Sequence, residues 1–577
     1  MKKTGNKRTP GRQVHRKIAR DPRGVSLSWT GRRNGDEAEE TSRPVLRFRE
    51  RERYGGRARR PNLLIRGDNL PVLDALLNRY RGRVDMVYID PPFATGTDFR
   101  VPAPSGAGPR SGARAYRDGR ARGLPAYLTR MEERLLRIRE LLSPRGALYV
   151  HVDYRVAAPL RLMLDSVFGA SSFVNEIIWF YKTGGAPDRL GFGRKHDNIL
   201  FYVKDPARAT WNPQKEKSYL MHRYGFSNVE IHDDGGGRFT WVRCRDVFDI
   251  PALRGNQPER LDYPTQKPEA LLERMILAST NPGDLVADLF CGSGTTAATA
   301  ERLGRRWIAC DRSPAAIRVT RKRLLAADRV PPFRLLDLDG ADRALWTLER
   351  FGANGSSPEE ANRDYRRFLL ERYGAEPAEN ADPFHGRTGN AVVRVFGPEE
   401  RPGPEAIRRA ARARGKGGAH LLAWEFLPGS AEEAERLSAA GPPVLLVPIP
   451  TDLMDEQEEN GGATSFPPLP SLRASLRRAP GRARTIRLDG YDPGAEEGSD
   501  ARECSWTDGI DQWAVDWDWD GETFAPGWTA ERTGRSRALP LESAPHIYNG
   551  PGRRRVLVRA VDTAGREAYR LLFPRVR

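Results

Sequence analysis

The chain has 577 residues and a formal net charge of +19 at pH 7. This length exceeds one ordinary hydrophobic core and predicts two to four domains, and the basic balance favours a polyanionic partner such as nucleic acid. No apolar run reaches transmembrane length and no apolar signal core follows Met1, which argues against a membrane protein and predicts a cytoplasmic location. The four cysteines are too scattered for a disulfide framework or a zinc site.

Residues 1–60 are predicted to form a disordered basic arm. They contain 19 Lys or Arg residues against 7 Asp or Glu residues, with few aliphatic side chains and no sustained periodicity. Such an arm can neutralise DNA phosphates without folding. A tail that keeps the protein soluble, or that carries an address, is the alternative.

Residues 84–93, VDMVYIDPPF, predict a buried strand that ends in a rigid turn. The apolar run is typical of a strand covered on both faces, and Pro91 and Pro92 remove backbone donors needed to continue it. The Asp90 carboxylate and the Pro91 carbonyl can accept hydrogen bonds from an aromatic exocyclic amine, while Phe93 stacks on its ring. An ordinary strand-ending turn is the alternative for these four residues alone.

The surrounding residues predict alternating strands and helices. The strand NLLIRG at 62–67 precedes a helical pattern to Tyr80, and after Phe93 come a long Gly/Pro/Arg-rich loop, a helix from Pro125 and three further strands. This alternation predicts an α/β fold with a largely parallel sheet. The loop is interpreted as a basic flap over the turn. The alternative is a surface loop that has no role at the site.

Residues 205–260 interleave aromatic and basic side chains, which suits contacts to bases. This segment is a candidate target-recognition element, and a small irregular subdomain is the alternative.

Residues 265–311 predict a ligand cradle made of a helix, a strand, a glycine loop, a second helix and a strand that ends on Asp311. Glycines let the backbone approach a ligand, the amino end of a helix attracts an anion, and an acidic residue beyond the loop can hold ribose hydroxyls. Gly292, Gly294 and Ala297 also satisfy the dinucleotide fingerprint, so a dehydrogenase stays open on this motif alone.

The remainder predicts two accessory domains. Residues 336–490 contain a β-α-β-α-β pattern without a glycine cradle, interpreted as a small structural or interaction domain. Residues 500–577 read as all-β and resemble a PKD-like β-sandwich through IDQWAVDWDWDG, HIYNGPG and VLVRAVDTAG. The alternating aspartates of its first strand favour a solvated strand face over a calcium site.

Five motifs in order, NLLIRGDNL, YIDPPFATGTDF, ALYVHVD, YPTQKPEALLERM and DLFCGSGTT, resemble the β class of amino DNA methyltransferases, especially type III modification subunits. The resemblance covers roughly residues 61–330, within a methyltransferase domain predicted over residues 61–335, and implies S-adenosylmethionine as methyl donor and double-stranded DNA as partner. It also implies a Rossmann-like sheet. By position it assigns the target amine to the turn Asp90, Pro91, Pro92 and Phe93. It assigns the donor to Asp68, Gln266, Lys267, Asp288, Phe290, Gly292, Gly294, Thr295 and Asp311.

The sequence thus predicts an adenine-specific, site-specific DNA methyltransferase of a restriction-modification or related defence system. A cytosine-amine methyltransferase and a non-catalytic DNA-binding subunit are the alternatives. A restriction nuclease or helicase partner and a homodimer are open, and no metal is called for. The family often has His where Tyr263 or Pro264 stands, and type III relatives usually carry a larger insert after the catalytic turn.

Overall fold

The structure is a computed structural model that describes residues 27–30, 32, 46–56, 58–92, 98–100, 114–117, 123–182, 190–219, 230–254, 257–261, 263–327, 329–352, 357–378, 383–454, 465–494, 505–532, 538–563 and 565–576. Phe93, residues 1–26 of the predicted arm and most of the predicted flap lie outside these ranges. Within them, no helix combines the length and apolar character needed to cross a bilayer.

The first unit is built on a ten-stranded sheet, with two small sheets beside it. Its strands are β1 (Arg49–Tyr54), β2 (Asn62–Arg66), β3 (Val84–Ile89), β4 (Asp98–Arg100), β5 (Arg114–Arg117), β6 (Leu142–Val152), β7 (Phe173–Phe180), β8 (His196–Val203), β9 (Lys215–Ser218), β10 (His232–Asp233), β11 (Arg238–Arg243), β12 (Val247–Asp249), β13 (Leu285–Asp288), β14 (Arg306–Asp311) and β15 (Phe333–Asp337). Its helices are α1 (Asn69–Tyr80), α2 (Gly123–Leu141), α3 (Ala157–Phe168), α4 (Glu269–Ser279), α5 (Thr295–Arg302) and α6 (Pro314–Leu325).

The large sheet has the order β1-β15-β2-β14-β13-β3-β6-β8-β7-β12. Its neighbouring strands are parallel except in the pairs β1–β15, β6–β8 and β7–β8, which confirms the predicted Rossmann-like α/β fold. The chain leaves β13 through α5 towards β14, and leaves β3 through α2 towards β6 on the opposite side. Ligands of open α/β sheets bind outside the carboxyl ends of the strands at such a reversal.

Helices cover both faces of this sheet. One apolar cluster joins α1, α2 and α3 to the sheet, and a second joins α4, α5 and α6 to its other face. All six residues of β3 are buried, as the continuous apolar run predicts. Packing on both faces of the sheet therefore fixes the position of β3 and of the turn that follows it.

The prediction of a disordered arm over residues 1–60 is wrong for its last part. β1 pairs antiparallel with β15 and forms one edge of the sheet, and its Glu52 is only 2% exposed. Upstream, Trp29 Nε1 donates to Thr129 Oγ1 at 2.8 Å, and Arg32 pairs with Glu132 at 2.9 Å. The strand was missed because RERERY has no apolar face; its buried charge is neutralised by residues far along the chain.

The second unit is the predicted small α/β domain. Its sheet has the order β16-β17-β18-β19-β20, with β18, β19 and β20 parallel. The strands are β16 (Glu376–Pro377), β17 (Gly386–Thr388), β18 (Ala391–Val395), β19 (Ala419–Ala423) and β20 (Val444–Pro448), and the helices are α7 (Ala341–Phe351), α8 (Pro358–Tyr373), α9 (Pro404–Arg412) and α10 (Ser430–Ala439).

The third unit is all-β, and it begins earlier than residue 500. Its strands are β21 (Ser471–Arg478), β22 (Ala483–Asp492), β23 (Ile510–Asp516), β24 (Trp528–Glu531), β25 (His546–Ile547), β26 (Gly552–Arg553), β27 (Val556–Asp562), β28 (Glu567–Leu572) and β29 (Arg575–Val576). The sheets β21-β22-β25 and β24-β23-β27-β28 share one apolar core. The predicted boundary at 490–500 is therefore wrong, because Leu472, Ile486 and Leu488 belong to this core.

Candidate active site

The turn after β3 is held in place by a lysine from another motif. Asp90 lies directly beyond the buried strand, and its Oδ2 accepts a hydrogen bond from Lys267 Nζ at 2.5 Å. The Asp90 side chain is 18% exposed and that of Lys267 is 9% exposed. Pro91 is buried and Pro92 is half-buried. Two predicted site residues from opposite ends of the domain thus form an ion pair at the sheet reversal.

The glycine loop follows β13, the strand next to β3, and leads into α5. Gly292 and Gly294 have φ angles of 50° and 72°, in the left-handed region that favours glycine. A Cβ on Gly294 would lie 2.6 Å from Thr320 Cγ2 of α6, and one on Gly292 would lie 3.2 Å from Tyr263 Cε1. The backbone conformation and the nearby side chains of Thr320 and Tyr263 therefore both favour glycine at these two positions.

Asp311 and Asp288 stabilise this loop by accepting hydrogen bonds from it. Asp311 Oδ2 accepts from the Gly292 N–H and its Oδ1 from the Ser313 N–H, each at 2.9 Å. Asp288 accepts from the Phe290 N–H at 3.0 Å and from Thr296 Oγ1 at 2.5 Å. Burial raises the pKa of both carboxyl groups, that of Asp288 to about 7, and the negative charges of Asp90 and Asp311 add to the shift at Asp288.

Asp68 lies beside the same loop and starts α1. Its Oδ1 accepts from the Leu70 N–H at 2.8 Å and from Arg134 Nη2 at 2.9 Å. Burial opposes ionisation of this carboxyl group, but Arg134 and Arg312 hold its pKa below the ordinary value. The next residue, Asn69, donates from Nδ2 to the Leu289 carbonyl at 2.9 Å, which connects α1 to the glycine loop.

Gln266 and Lys267 follow a strained residue. Thr265 has a φ of 59°, uncommon for a side chain branched at Cβ. Both polar atoms of the Gln266 side-chain amide form hydrogen bonds with the preceding backbone. Oε1 accepts from the Leu261 N–H at 2.9 Å, and Nε2 donates to the Glu259 carbonyl at 2.8 Å. Thr295 Oγ1 donates to the Lys267 carbonyl at 3.1 Å, which connects this segment to the start of α5.

Sequence reasoning missed a buried polar network beside Asp90. Tyr88 OH and His151 Nδ1 are 2.9 Å apart, and His151 Nε2 lies 3.2 Å from Asp197 Oδ2. Tyr181 OH donates to Asp197 Oδ1 at 3.1 Å. The available signal was the polar His151 within the apolar second half of β6, residues 147–152. Tyr263, one of the two positions at which the sequence departs from the expected pattern, places its ring against Gly292. Among the described residues, no cluster of three His, Cys, Asp or Glu side chains is arranged to hold a metal.

The chain is similar to known DNA methyltransferases. Residues 84–322 match a family model described as DNA methylase. The type II methyltransferase M.EcaI of Enterobacter cloacae is 29% identical over 332 residues, which are 47% of this chain and 71% of that protein. The DNA adenine methyltransferase YhdJ of Escherichia coli (strain K12) is 28% identical over 286 residues, 48% of this chain and 85% of that protein.

Solved structures also align, at low overall scores. One described as the M1.HpyAVI–SAM complex is 21% identical, covers 45% of this chain and 98% of its own, and has a TM-score of 0.31. The PKD1 domain of the Vibrio cholerae metalloprotease PrtV is 16% identical, covers 19% of this chain and 96% of its own, and has a TM-score of 0.12. The PKD-like interpretation of the third unit stays a prediction. The family match spans β3, the Asp90 turn, the glycine loop and β14, so the likeness to the DNA methylase family includes both strand-end turns of the candidate site.

Proposed function

We propose that this protein transfers a methyl group from S-adenosylmethionine to the exocyclic amine of adenine in DNA. The observation that carries the proposal is the placement of two turns. The Asp90 turn follows β3 and the glycine loop follows β13, its parallel neighbour, with Tyr88 and Asp288 in register. An amine held by Asp90 therefore lies about one strand spacing, ~5 Å, from a ligand in the glycine loop.

The donor is proposed to lie along residues 288–295, with Asp311 at its ribose and Asp68 near its adenine. When bound, it supplies an electrophilic methyl group on a positively charged sulfur. The carboxyl groups of Asp90, Asp288 and Asp311 lie close enough for the charges of Asp90 and Asp311 to raise the pKa of Asp288. The positive charge of a bound donor would in turn stabilise the ionised form of Asp288.

The acceptor amine is proposed to bind at Asp90. The Asp90 carboxylate and the Pro91 carbonyl accept its two N–H groups, which keeps the nitrogen lone pair directed at the methyl group; Phe93 is assigned the stacking contact. The target base must leave the duplex to reach this turn. Lys267 now occupies Asp90 Oδ2, so it must release this oxygen to the amine. A donor carboxylate is the anion with which Lys267 would then pair, and this supports its assignment to the donor.

Adenine is the preferred target because YhdJ is named a DNA adenine methyltransferase and because Asp, rather than Ser, precedes Pro91. A cytosine amine is the second candidate, since the name of the matched family covers N6 and N4 methyltransferases. The family match favours a methyltransferase over the dehydrogenase alternative.

Target recognition is proposed for residues 205–260. These residues include the small sheet β10-β11-β9. Trp241 of this sheet is 46% exposed, and Tyr219, directly after β9, is 50% exposed. Lys217 lies opposite Trp241 on the paired strand. Exposed aromatic rings among basic side chains suit base and phosphate contacts.

Incubating the full chain with DNA and methyl-labelled donor, followed by nucleoside analysis, tests the proposal. Label on the adenine amine supports it, label on the cytosine amine supports the second candidate, and no label supports a non-catalytic subunit. Asp90→Ala should lower methyl transfer by roughly 10²–10³-fold or more, while donor binding measured by calorimetry stays near that of the parent. Asp364→Ala, an exposed carboxylate of α8, is the matched control and should leave both values unchanged.

The wider system is proposed only in outline. M.EcaI is named a type II methyltransferase, so the type III likeness remains a prediction. A restriction nuclease or helicase partner, a homodimer and a cytoplasmic location also remain predictions.

A further inference from the structure

Two apolar side chains near the active site are almost fully exposed. Leu190 is 95% exposed and Phe192 is 97% exposed, whereas the next most exposed large apolar residues of the described chain, Ile547 and Phe573, reach 70%. Both belong to residues 190–195, LGFGRK, which directly precede β8 and which we call the insertion loop; residues 183–189, between Lys182 and this loop, lie outside the described structure. Exposure of such apolar side chains to water is unfavourable. A partner that covers Leu190 and Phe192 would remove this cost.

The topology places the insertion loop at the edge of the sheet where Asp90 lies. β6 is parallel to β3, and β8 is antiparallel to both β6 and β7. The carboxyl end of β7 therefore lies at the same edge as that of β3, three strand spacings or about 14 Å away. This separation is shorter than the width of a DNA duplex, so one duplex at the active site would also meet the loop.

The base of the loop is tied to the active site by hydrogen bonds. Tyr181 N–H donates to the Lys195 carbonyl at 2.9 Å, and Tyr181 OH donates to Asp197 at 3.1 Å. Asp197 continues through His151 to Tyr88, which precedes Asp90 by two residues. The loop is thus a supported projection beside the catalytic turn, since both of its stems enter this network.

Its chemistry fits nucleic acid. Arg194 stacks over the ring of Tyr154 at 4.2 Å, and Lys182, at the first stem, is exposed. Gly191 has a φ of 115°, and with Gly193 it leaves the backbone on both sides of Phe192 without side chains. The phosphates of a duplex can therefore lie against cationic side chains while the ring projects between them.

We infer that the insertion loop presses Phe192 into the DNA base stack, where it fills the space that the flipped target base leaves. The inference rests on the proposed function, because only an enzyme that extracts a base creates such a gap. Apolar side chains inserted between base steps unstack and kink the duplex, and an aromatic ring replaces part of the lost stacking. Leu190, two residues before Phe192, is assigned to cover the adjacent base pair.

The test compares Phe192→Ala with the parent on two duplexes that contain the methylation site mapped for the parent. In one duplex the target base is paired, and in the other it faces an abasic site and flips at little cost. Phe192→Ala should lower kcat/KM on the paired duplex by roughly ten- to a hundredfold, the range given by base–aromatic stacking, and should lower it far less on the second. Phe192→Trp should retain activity, donor affinity should not change, and Phe573→Ala is the matched exposed control.

The outcomes separate this inference from the proposed function. An equal loss on both duplexes, or activity of Phe192→Ala equal to that of Phe573→Ala, overturns insertion while leaving methylation intact. A change in oligomeric state of Phe192→Ala by sedimentation, without the methylation defect, would overturn insertion and show that a second copy of the chain covers the loop. No methyl transfer by the parent overturns the proposed function and this inference with it.

Discussion

At Gly294 the backbone has a φ of 72°, and an added Cβ would lie 2.6 Å from Thr320 Cγ2. Thr320 Oγ1 donates to the Gly292 carbonyl at 3.0 Å, so this threonine cannot move without disturbing the loop. Glycine-rich loops are usually explained by the space their ligand needs. Here the glycine is also required by α6, which packs behind the loop.

Gly294→Ala should reduce donor affinity by more than about tenfold, equivalent to ~1.4 kcal/mol, because the loop must shift away from Thr320. Gly304→Ala is the control: its φ of 73° gives the same backbone strain, but no atom lies within 4 Å of the new Cβ. That variant should lose about 1–2 kcal/mol of stability and bind donor like the parent. Calorimetric titration with S-adenosylmethionine measures both, and equal affinities for the two folded variants would contradict the packing argument.

Among the elements, β1 connects the first unit to the third unit. It pairs with β15 on one side, and on the other Arg53 N–H donates to the Phe524 carbonyl of the third unit at 3.0 Å. Glu52 lies between two buried arginines, with Arg321 of α6 at 2.8 Å and Arg559 of β27 in direct contact. Burial opposes ionisation, but these arginines lower the pKa of Glu52 to about 2. α6 and the all-β unit are therefore joined through this carboxylate.

Glu52→Gln should lower the free energy of unfolding by roughly 3–5 kcal/mol, because it removes the nearest anion of two buried guanidinium groups and leaves only the more distant Glu567, 3.7 Å from Arg321. Glu405→Gln removes an exposed i,i+4 pair with Arg409 and should change stability by less than about 1 kcal/mol. Urea unfolding followed by tryptophan fluorescence compares them. Similar midpoints would mean that water or another carboxylate compensates for the loss of Glu52.

Over the whole molecule, one dense run of positive charge lies in the first 26 residues of the sequence. Residues 1–26 contain nine Lys or Arg residues and one Asp residue, and they lie outside the described structure. Residues 27–30, 32 and 46–56 are bound to α2, β15 and the third unit. The DNA-contact hypothesis for the arm is therefore confined to residues 1–26, and a deletion through residue 60 would remove folded structure.

Deleting residues 1–26 should weaken DNA binding, flatten the dependence of log affinity on log salt, and leave donor affinity unchanged. The slope should fall by about 0.9 for every phosphate of duplex DNA that the arm neutralises in the parent. A full-length variant with the nine basic residues replaced by Gln should reproduce the effect if charge is the cause. Preference for the target site should survive, because phosphate contacts do not read bases. An unchanged slope would assign the arm to solubility or addressing.

Much of the first unit was predictable because its signals are local. The continuous apolar run of β3, the prolines after Asp90, and the glycine loop between β13 and α5 each express their structure within a few residues. The order of five such motifs predicted the family. The same signals placed Asp90, Gly292, Gly294 and Asp311 at the ends of strands, where parallel topology brings them to one edge.

Other features depended on residues that are distant in the sequence. The Lys267–Asp90 pair spans 177 positions, and the partners of Glu52 lie 269 and 507 positions away. A buried charge looks like a surface charge in the sequence, since only the folded chain supplies the counter-charge that offsets the cost of burial. For this reason β1 was predicted to be disordered. β21 and β22 were assigned to the wrong unit because their apolar side chains do not reveal in the sequence which core they join. Local periodicity determined the strands, the helices and the turns after β3 and β13, and long-range electrostatics and packing decided how the three units meet.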